Sequence, residues 1–341
     1  MLSQRPIAPV PAKRAARRSH PPQARVRPDF FIVGAPKCGT TALSDYLANH
    51  PDIFMARKEM HFFGRDLRFA PHFYRRAEPE YLAEFAGWKG QARIGEASVW
   101  YLFSEKAAAE IKAFNPAARI IILLREPVDM MYSLFRYFQY DGNEPLASFA
   151  SALQAEPDRR AGRRLGRQTY FAPGLVYRDA ARYAPQVERY LQVFGRDRVL
   201  VLLYEDLAAN PAAVYRDTLR FLGVDDSYSL AEFPRVNAAK TIRSRALRAV
   251  LNDPTARSAM LAIRPLLPAP VFNGFHQVEN VLKRINSRSQ RPVPLAPRLK
   301  AELRREFAPE VARLARLLGR DLSPWTKPGE PSRHRPDELT L

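Results

Sequence analysis

The 341-residue sequence predicts an α/β fold, a central parallel sheet flanked by helices in three layers, and three observations carry that expectation. Short continuous apolar runs recur at Phe30-Phe31-Ile32-Val33, at Ile120-Ile121-Ile122-Leu123-Leu124 and at Val199-Leu200-Val201-Leu202-Leu203. Uninterrupted apolarity over so short a span marks strands covered on both faces, the condition of a parallel sheet. Helical periodicity fills the segments between the runs, as βαβ crossovers require.

The folded domain is expected to start at Asp29, where the texture changes. Residues 1–28 carry Arg5, Lys13, Arg14, Arg17, Arg18, Arg25 and Arg27, no acid and much proline. Such a segment buries too little apolar surface to offset its ordering entropy, so a disordered basic tail is expected. The first strand runs into Gly34, and 41–47 follows with apolar residues at helical spacing. A helix over 105–114 precedes the strand at 119–124, and Pro127 opens the next helix, where its missing N–H costs nothing. An amphipathic stretch at 179–194 leads into the strand at 199–203. Beyond about residue 238 no comparable strand is expected. Segments 242–252, 277–285 and 299–318 read as helices, the last placing Leu303, Phe307, Val311, Leu314 and Leu318 on one face. This helical C-terminal part belongs to the same domain, which spans 29–325 and gives way to a polar tail at 326–341.

Composition narrows the function classes. With 46% hydrophobic and 26% charged residues the chain is neither collagen-like, coiled-coil nor wholly disordered. Lys and Arg total 54 against 35 Asp and Glu, a net charge of +19, which favours acidic partners: nucleic acid, anionic lipid, or small ligands bearing phosphate or sulfate. No run of 18 apolar residues exists to span a membrane, and no apolar stretch precedes a cleavage site. Cys38 is the only cysteine, which excludes an internal disulfide and a Cys-based zinc cluster and suggests a reducing, cytoplasmic setting. His20, His50, His72, His276 and His334 fall at no metal-ligand spacing, and no metal is expected.

Gly34-Ala35-Pro36-Lys37-Cys38-Gly39-Thr40-Thr41 joins the first strand to the first helix. A small-residue loop there presents backbone N–H groups at a helix N-terminus, a site for an anion. The motif is P-loop-like, approaching G-x-x-x-x-G-K-[ST], but Thr40 stands in the lysine's place and the lysine lies three residues earlier, at Lys37. A nucleotide kinase, the enzyme alternative, also needs a metal-holding carboxylate at another strand end; the strand at 119–124 runs instead into Arg125. A cation there argues for anion recognition at the strand's carboxyl end, where doubly wound sheets bind ligands. Arg125 has a second reading, a structural ion pair with Glu126 or Asp129. Cys38 reads as a small filler rather than a nucleophile.

These residues carry a family resemblance. The 34–43 loop, His50-Pro51 and Lys58-Glu59-Met60-His61-Phe62-Phe63 resemble the opening of the sulfotransferases that use 3′-phosphoadenosine 5′-phosphosulfate (PAPS), notably the bacterial and heparan-sulfate-type carbohydrate enzymes. Leu124-Arg125-Glu126-Pro127 with Ser133, then Tyr204-Glu205-Asp206-Leu207 with Asn210-Pro211 and Phe221-Leu222-Gly223, then Gly319-Arg320-Asp321-Leu322 with Trp325, resemble later parts of that family in the same order. The likeness covers about 29–325.

The resemblance implies PAPS as co-substrate, without metal, and an acceptor hydroxyl or amine on a carbohydrate, glycolipid or small metabolite. It implies that Pro36, Lys37, Cys38, Gly39, Thr40 and Thr41 cradle the phosphosulfate, with Lys37 stabilising the leaving charge. Arg125 and Ser133 then take the 3′-phosphate, and Lys240, in a loosely matching late loop, adds a basic contact. Glu59 is implied as the acceptor's base with His61 assisting; by alternation both lie on one side of an extended segment, opposite Met60 and Phe62. Taken without the family, Glu59 also reads as a solvated carboxylate or as an ion-pair partner of Lys58, and His61 as a packed polar residue of the core. Where those relatives have Glu-Lys-Thr-Pro, this chain has Glu96-Ala97-Ser98-Val99, so either Lys58, Arg93 or an acceptor-side cation replaces the lysine, or the acceptor and mechanism differ in detail.

Nucleic-acid binding is the alternative that the net charge raises, but arginines beyond 240 are scattered and no helix-turn-helix or RNA-binding aromatic signature is present. The basic tail and the Arg-rich apolar segment 241–290 also allow peripheral contact with an anionic membrane. Acceptor contacts are expected from loops 64–90 and 138–175, which hold Phe69, Phe73, Tyr74, Trp88, Tyr137, Tyr140, Tyr170 and Phe171.

Overall fold

The computed structural model describes residues 26–70, 77–234 and 293–327 throughout, with 240–244, 247, 251, 253, 255, 259, 281–282 and 285–289 between them. In chain order the elements are β1 (Phe30–Gly34), α1 (Thr40–Leu47), β2 (Ile53–Met55), α2 (Glu78–Ala83), β3 (Arg93–Ala97), α3 (Ala107–Phe114), β4 (Arg119–Leu124) and α4 (Pro127–Asp141). There follow α5 (Phe149–Gln154), α6 (Glu156–Arg160), α7 (Tyr177–Ala181), α8 (Tyr183–Phe194), β5 (Val199–Leu203), α9 (Tyr204–Ala209), α10 (Pro211–Leu222), β6 (Lys240–Ile242), β7 (Ser287–Ser289) and α11 (Pro297–Leu318).

β1 to β5 form one sheet in the order β2-β3-β1-β4-β5, every pair parallel, with helices on its faces. The expected class is therefore the observed one. Phe30, Phe31, Ile32 and Val33 of β1 and Ile120 to Leu124 of β4 are wholly buried, which explains their unbroken apolarity: neither face of these central strands meets water. All five carboxyl ends point the same way, and the P-loop-like turn, the β3–α3 connection and the start of α4 gather there.

Two strands of the sheet lack the apolar signature. β2 has three residues, and β3 reads Arg-Ile-Gly-Glu-Ala. Gly95 is required in β3 because a Cβ there would stand 2.2 Å from Phe30 Cζ and 2.3 Å from Met55 Sδ; the space belongs to large neighbours on the adjacent strands. The amphipathic stretch at 179–194 is two helices divided at Arg182, whose ψ of 78° is non-helical. Pro185 accounts for the break, since its ring would clash with the carbonyl of residue 181 in one continuous helix.

Beyond 238 no strand comparable to those of the parallel sheet stands among the described residues, but β6 and β7 form a short antiparallel pair in which Lys240 lies opposite Ser289. Among their six residues only Ile242 is aliphatic, so no apolar run announces them. Most of 242–252 and 277–285 lies outside the described residues. The last helix is as expected: Leu303, Phe307, Val311 and Leu314 are buried, and α11 packs against α8 and α4. Ordered structure begins before Asp29. Arg27 donates from Nη1 to the Phe114 carbonyl at 3.2 Å and lays its guanidinium 4.5 Å from the Phe114 ring centroid. Residues 1–25 and 328–341, where the tails are expected, lie outside the described residues. Among the described residues no helix is long and apolar enough to cross a membrane.

Candidate active site

The turn after β1 is shaped by two left-handed residues, Lys37 at φ 63° and Gly39 at φ 88°. Gly39 is also closely approached: a Cβ would stand 3.0 Å from Leu207 and 3.2 Å from Tyr204, so the Tyr204–Leu207 motif of α9 closes on the turn. Thr40 then opens α1, leaving first-turn N–H groups free to face an anion.

Three cations surround this turn. Lys37 rests its ammonium 4.5 Å from the Tyr137 ring centroid on α4. Lys58 donates to Thr40 Oγ1 at 3.3 Å and Thr41 Oγ1 at 3.2 Å and stands 3.6 Å from Glu59 Oε1. Arg125, at the end of β4, stacks 4.6 Å from the Tyr204 ring centroid and reaches toward the Lys37 carbonyl. Burial pushes the Lys37 ammonium pKa down, and the positive charge of Arg125 adds to the effect; burial lowers Lys58 as well, against the pull of Glu59. Cations so crowded and desolvated favour an anionic ligand, which relieves both penalties.

The ion-pair reading of Arg125 is not what forms. Glu126 accepts from the Asp129 N–H at 2.6 Å and from Arg304 Nε at 3.4 Å, and Asp129 pairs with Lys300 at 2.6 Å. The neighbouring acids are thus engaged by α11, and Arg125 stays on its tyrosine at the site. Glu205 Oε1 accepts from the Glu126 N–H at 3.1 Å, tying α9 to the β4–α4 junction. Ser133 sits half-buried two turns into α4. Lys240 opens β6; its side chain lies outside what the structure describes.

Cys38 is a filler, as expected. It is wholly buried, 3.4 Å from the Pro36 carbonyl and 3.9 Å from Tyr183 OH, and burial pushes its thiol up to about 12. A thiol so protonated is a poor nucleophile.

Glu59 and His61 come together, though not through an extended segment. His61 is left-handed at φ 49°, and the bend brings its Nε2 to 3.8 Å from Glu59 Oε2. Met60 is buried on the other side. Glu59 does pair with Lys58, and its second oxygen accepts from the Val99 N–H at 2.9 Å. Phe69 stands 4.9 Å from the His61 ring and stacks on Phe171 at 4.5 Å, which in turn meets Trp100 at 4.6 Å. Tyr137, the seat of Lys37, is 41% exposed. Of the other expected acceptor aromatics, Trp88 is turned away to the Gln91 carbonyl and Tyr170 is bonded to Asp141; Phe73 and Tyr74 lie outside the described residues.

Of the cations named to replace the lysine missing at Ala97, Arg93 is eliminated. It sits at the opposite end of β3, paired with Asp29 at 3.3 Å and bonded to the Leu222 carbonyl. Lys58 is in the site. Unforeseen in the sequence are the Tyr137 and Tyr204 seats for Lys37 and Arg125, because a ring beside a cation in space leaves no spacing in the chain.

A parallel α/β sheet whose first strand ends in a cationic P-loop-like turn, facing an acid–imidazole pair, defines an anion-binding group-transfer site. The model of the sulfotransferase domain matches residues 27–233, and the chain belongs to the sulfotransferase family. Over 210 residues it is 29% identical to the human bifunctional heparan sulfate N-deacetylase/N-sulfotransferase 3, a match covering 60% of this chain and 23% of that protein. It is 28% identical over 257 residues to mouse carbohydrate sulfotransferase 15, covering 59% of this chain and 44% of the relative. The chain therefore matches less than half the length of these curated relatives. The crystal structure of a sulfotransferase from Alicyclobacillus acidocaldarius superposes with a TM-score of 0.64 at 33% identity, covering 89% of this chain and all of that one.

Proposed function

We propose that this chain moves the sulfuryl group of PAPS to a hydroxyl or amine of a carbohydrate acceptor. The observation that carries the reading is the convergence of Lys37, Lys58 and Arg125 on one turn, with Glu59 held 3.6 Å from Lys58. The turn's N–H groups and the Thr40 and Thr41 hydroxyls bind the phosphosulfate. Lys37 and Lys58 balance the charge that builds on the leaving phosphate, a term set up before the reaction begins. Lys58 takes the role of the lysine missing at Ala97, since it touches both the turn and the base. Arg125 holds the 3′-phosphate together with Ser133 of α4.

Glu59 accepts the proton of the attacking group, and His61 and the Phe69–Phe171 wall orient the acceptor. Aromatic faces suit a sugar's apolar side, and the named activities of the heparan sulfate and carbohydrate sulfotransferases support that class.

The test is transfer of ³⁵S from labelled PAPS to a panel of N-deacetylated heparosan, chondroitin and a galactosyl glycolipid, with the Glu59→Gln variant alongside. Label is expected on at least one carbohydrate, with the rate in the variant roughly 10²- to 10⁴-fold lower, the usual worth of a general base. Label on none of the panel, or equal transfer by the variant, would overturn the acceptor and base assignments.

A further inference from the structure

Glu96 is wholly buried at the carboxyl end of β3, a costly place for a carboxyl group, and none of the roles above uses it. Its partners explain it. Oε1 accepts from Ser98 Oγ at 2.8 Å and Tyr101 OH at 2.7 Å, and Oε2 accepts from Tyr81 OH on α2 at 2.6 Å. Ser98 Oγ in turn accepts from the N–H groups of Met60 at 3.0 Å and His61 at 3.2 Å. Tyr101 OH accepts from those of Phe62 at 2.8 Å and Phe63 at 3.3 Å. The ring of Tyr81 lies flat on Phe62, 4.1 Å between centroids.

The direction of the bonds through Ser98 and Tyr101 is fixed. A backbone N–H only donates, so the hydroxyls of Ser98 and Tyr101 must use their lone pairs toward the Met60–Phe63 segment and their protons toward Glu96. One buried carboxylate oxygen therefore orients two hydroxyls, and these two secure four successive amides directly after Glu59. Left unsatisfied, buried amides and hydroxyls would each carry a desolvation penalty, so the segment is pinned in the bent path that brings His61 to Glu59.

We propose that Glu96 is a positioning residue for the Glu59–His61 pair, acting through Ser98 and Tyr101 on the backbone of residues 60–63. The proposal rests on the reading of Glu59 and His61 as the acceptor-side pair, while the relay itself is independent of it. Glutamine at position 96 retains an acceptor oxygen for Ser98 and Tyr101 and turns its amide N–H toward the Tyr81 oxygen. Leucine removes the acceptor at similar volume.

The test is residue-resolved amide hydrogen exchange on the full chain, with the His61 ring resonances and the affinity for 3′,5′-adenosine bisphosphate (PAP) measured on the same samples. In Glu96→Leu the amides of 60–63 are expected to exchange at least tenfold faster than in the parent and the His61 ring signals to shift. In Glu96→Gln both should return most of the way. Ser98→Ala should release chiefly Met60 and His61, and Tyr101→Phe chiefly Phe62 and Phe63; these two milder variants decide the matter if the leucine variant does not fold. Unchanged exchange at 60–63, or acceleration spread equally over β1 and β4, would overturn the proposal. PAP affinity is expected to stay within about twofold throughout. Failure of the parent chain to bind PAP would instead count against the donor reading and leave the exchange result to judge the relay by itself.

Discussion

Lys58 shows how much one side chain contributes to the proposed chemistry. Its ammonium is shared among two threonine hydroxyls of the turn and the carboxylate of Glu59, so it senses both the donor's charge and the base's protonation. Lys58→Met keeps the length and removes the charge; with labelled PAPS it is expected to lower turnover at least tenfold, and a variant within twofold of the parent would remove Lys58 from the mechanism. Cys38 is the opposite case. Buried in the same turn with its thiol pushed up to about 12, it is expected to resist iodoacetamide at pH 8 in the folded chain and to react once unfolded, read by mass spectrometry. Rapid labelling of the native protein would contradict the packing. At this scale the sequence was legible where chemistry follows order along the chain: Lys37, Gly39, Thr40, Thr41, Arg125, Glu59 and His61 all meet at one end of the sheet. It was not legible where one residue's role depends on a distant ring or hydroxyl, as with Tyr137, Tyr204 and the partners of Glu96.

Among the elements, β1 and β4 were evident because both their faces are covered and their apolarity is unbroken, and β5 because its five residues are all apolar although Leu200 and Val201 are only half-buried. β3 was hidden because it exchanges apolar bulk for Gly95, which accommodates Phe30, and for Glu96, which serves a polar relay. That carboxylate leaves a mark on stability. Burial raises it from an ordinary 4.5 to about 7, against three hydrogen bonds that pull it down. The folded state thus keeps a proton that the unfolded chain releases near pH 4.5. The resulting stability is full below that pH and is lost as pH rises through about 7. Glu126 is raised to about 7 as well, by burial and the neighbouring charge of Asp129. The thermal midpoint is expected to fall between pH 5 and pH 8 and to fall less in Glu96→Gln; identical pH profiles would contradict the assignment. α11 makes a separate test. Its buried Phe307 faces the α4 and α8 side of the core, and Phe307→Ala is expected to cost about 3 kcal/mol in denaturant unfolding, whereas a loss below half of that would mean α11 is only loosely docked.

For the whole molecule, the net charge is +19. Six of those charges come from the basic residues at positions 5–25, the kind of basic cluster that anionic lipid attracts. Deleting residues 1–25 is expected to abolish co-sedimentation with phosphatidylglycerol vesicles at low salt while leaving PAP affinity unchanged; equal sedimentation of the two forms would assign the effect to the folded domain. The donor site on the β1–α1 turn is the proposed functional centre. Calorimetric titration with PAP in EDTA, with AMP and Mg²⁺-ATP for comparison and Arg125→Ala as the variant, tests it most directly. Micromolar binding without metal, lost or strongly weakened in AMP and reduced at least tenfold by Arg125→Ala, is the expected result. No binding of PAP, or a preference for Mg²⁺-ATP, would contradict the account.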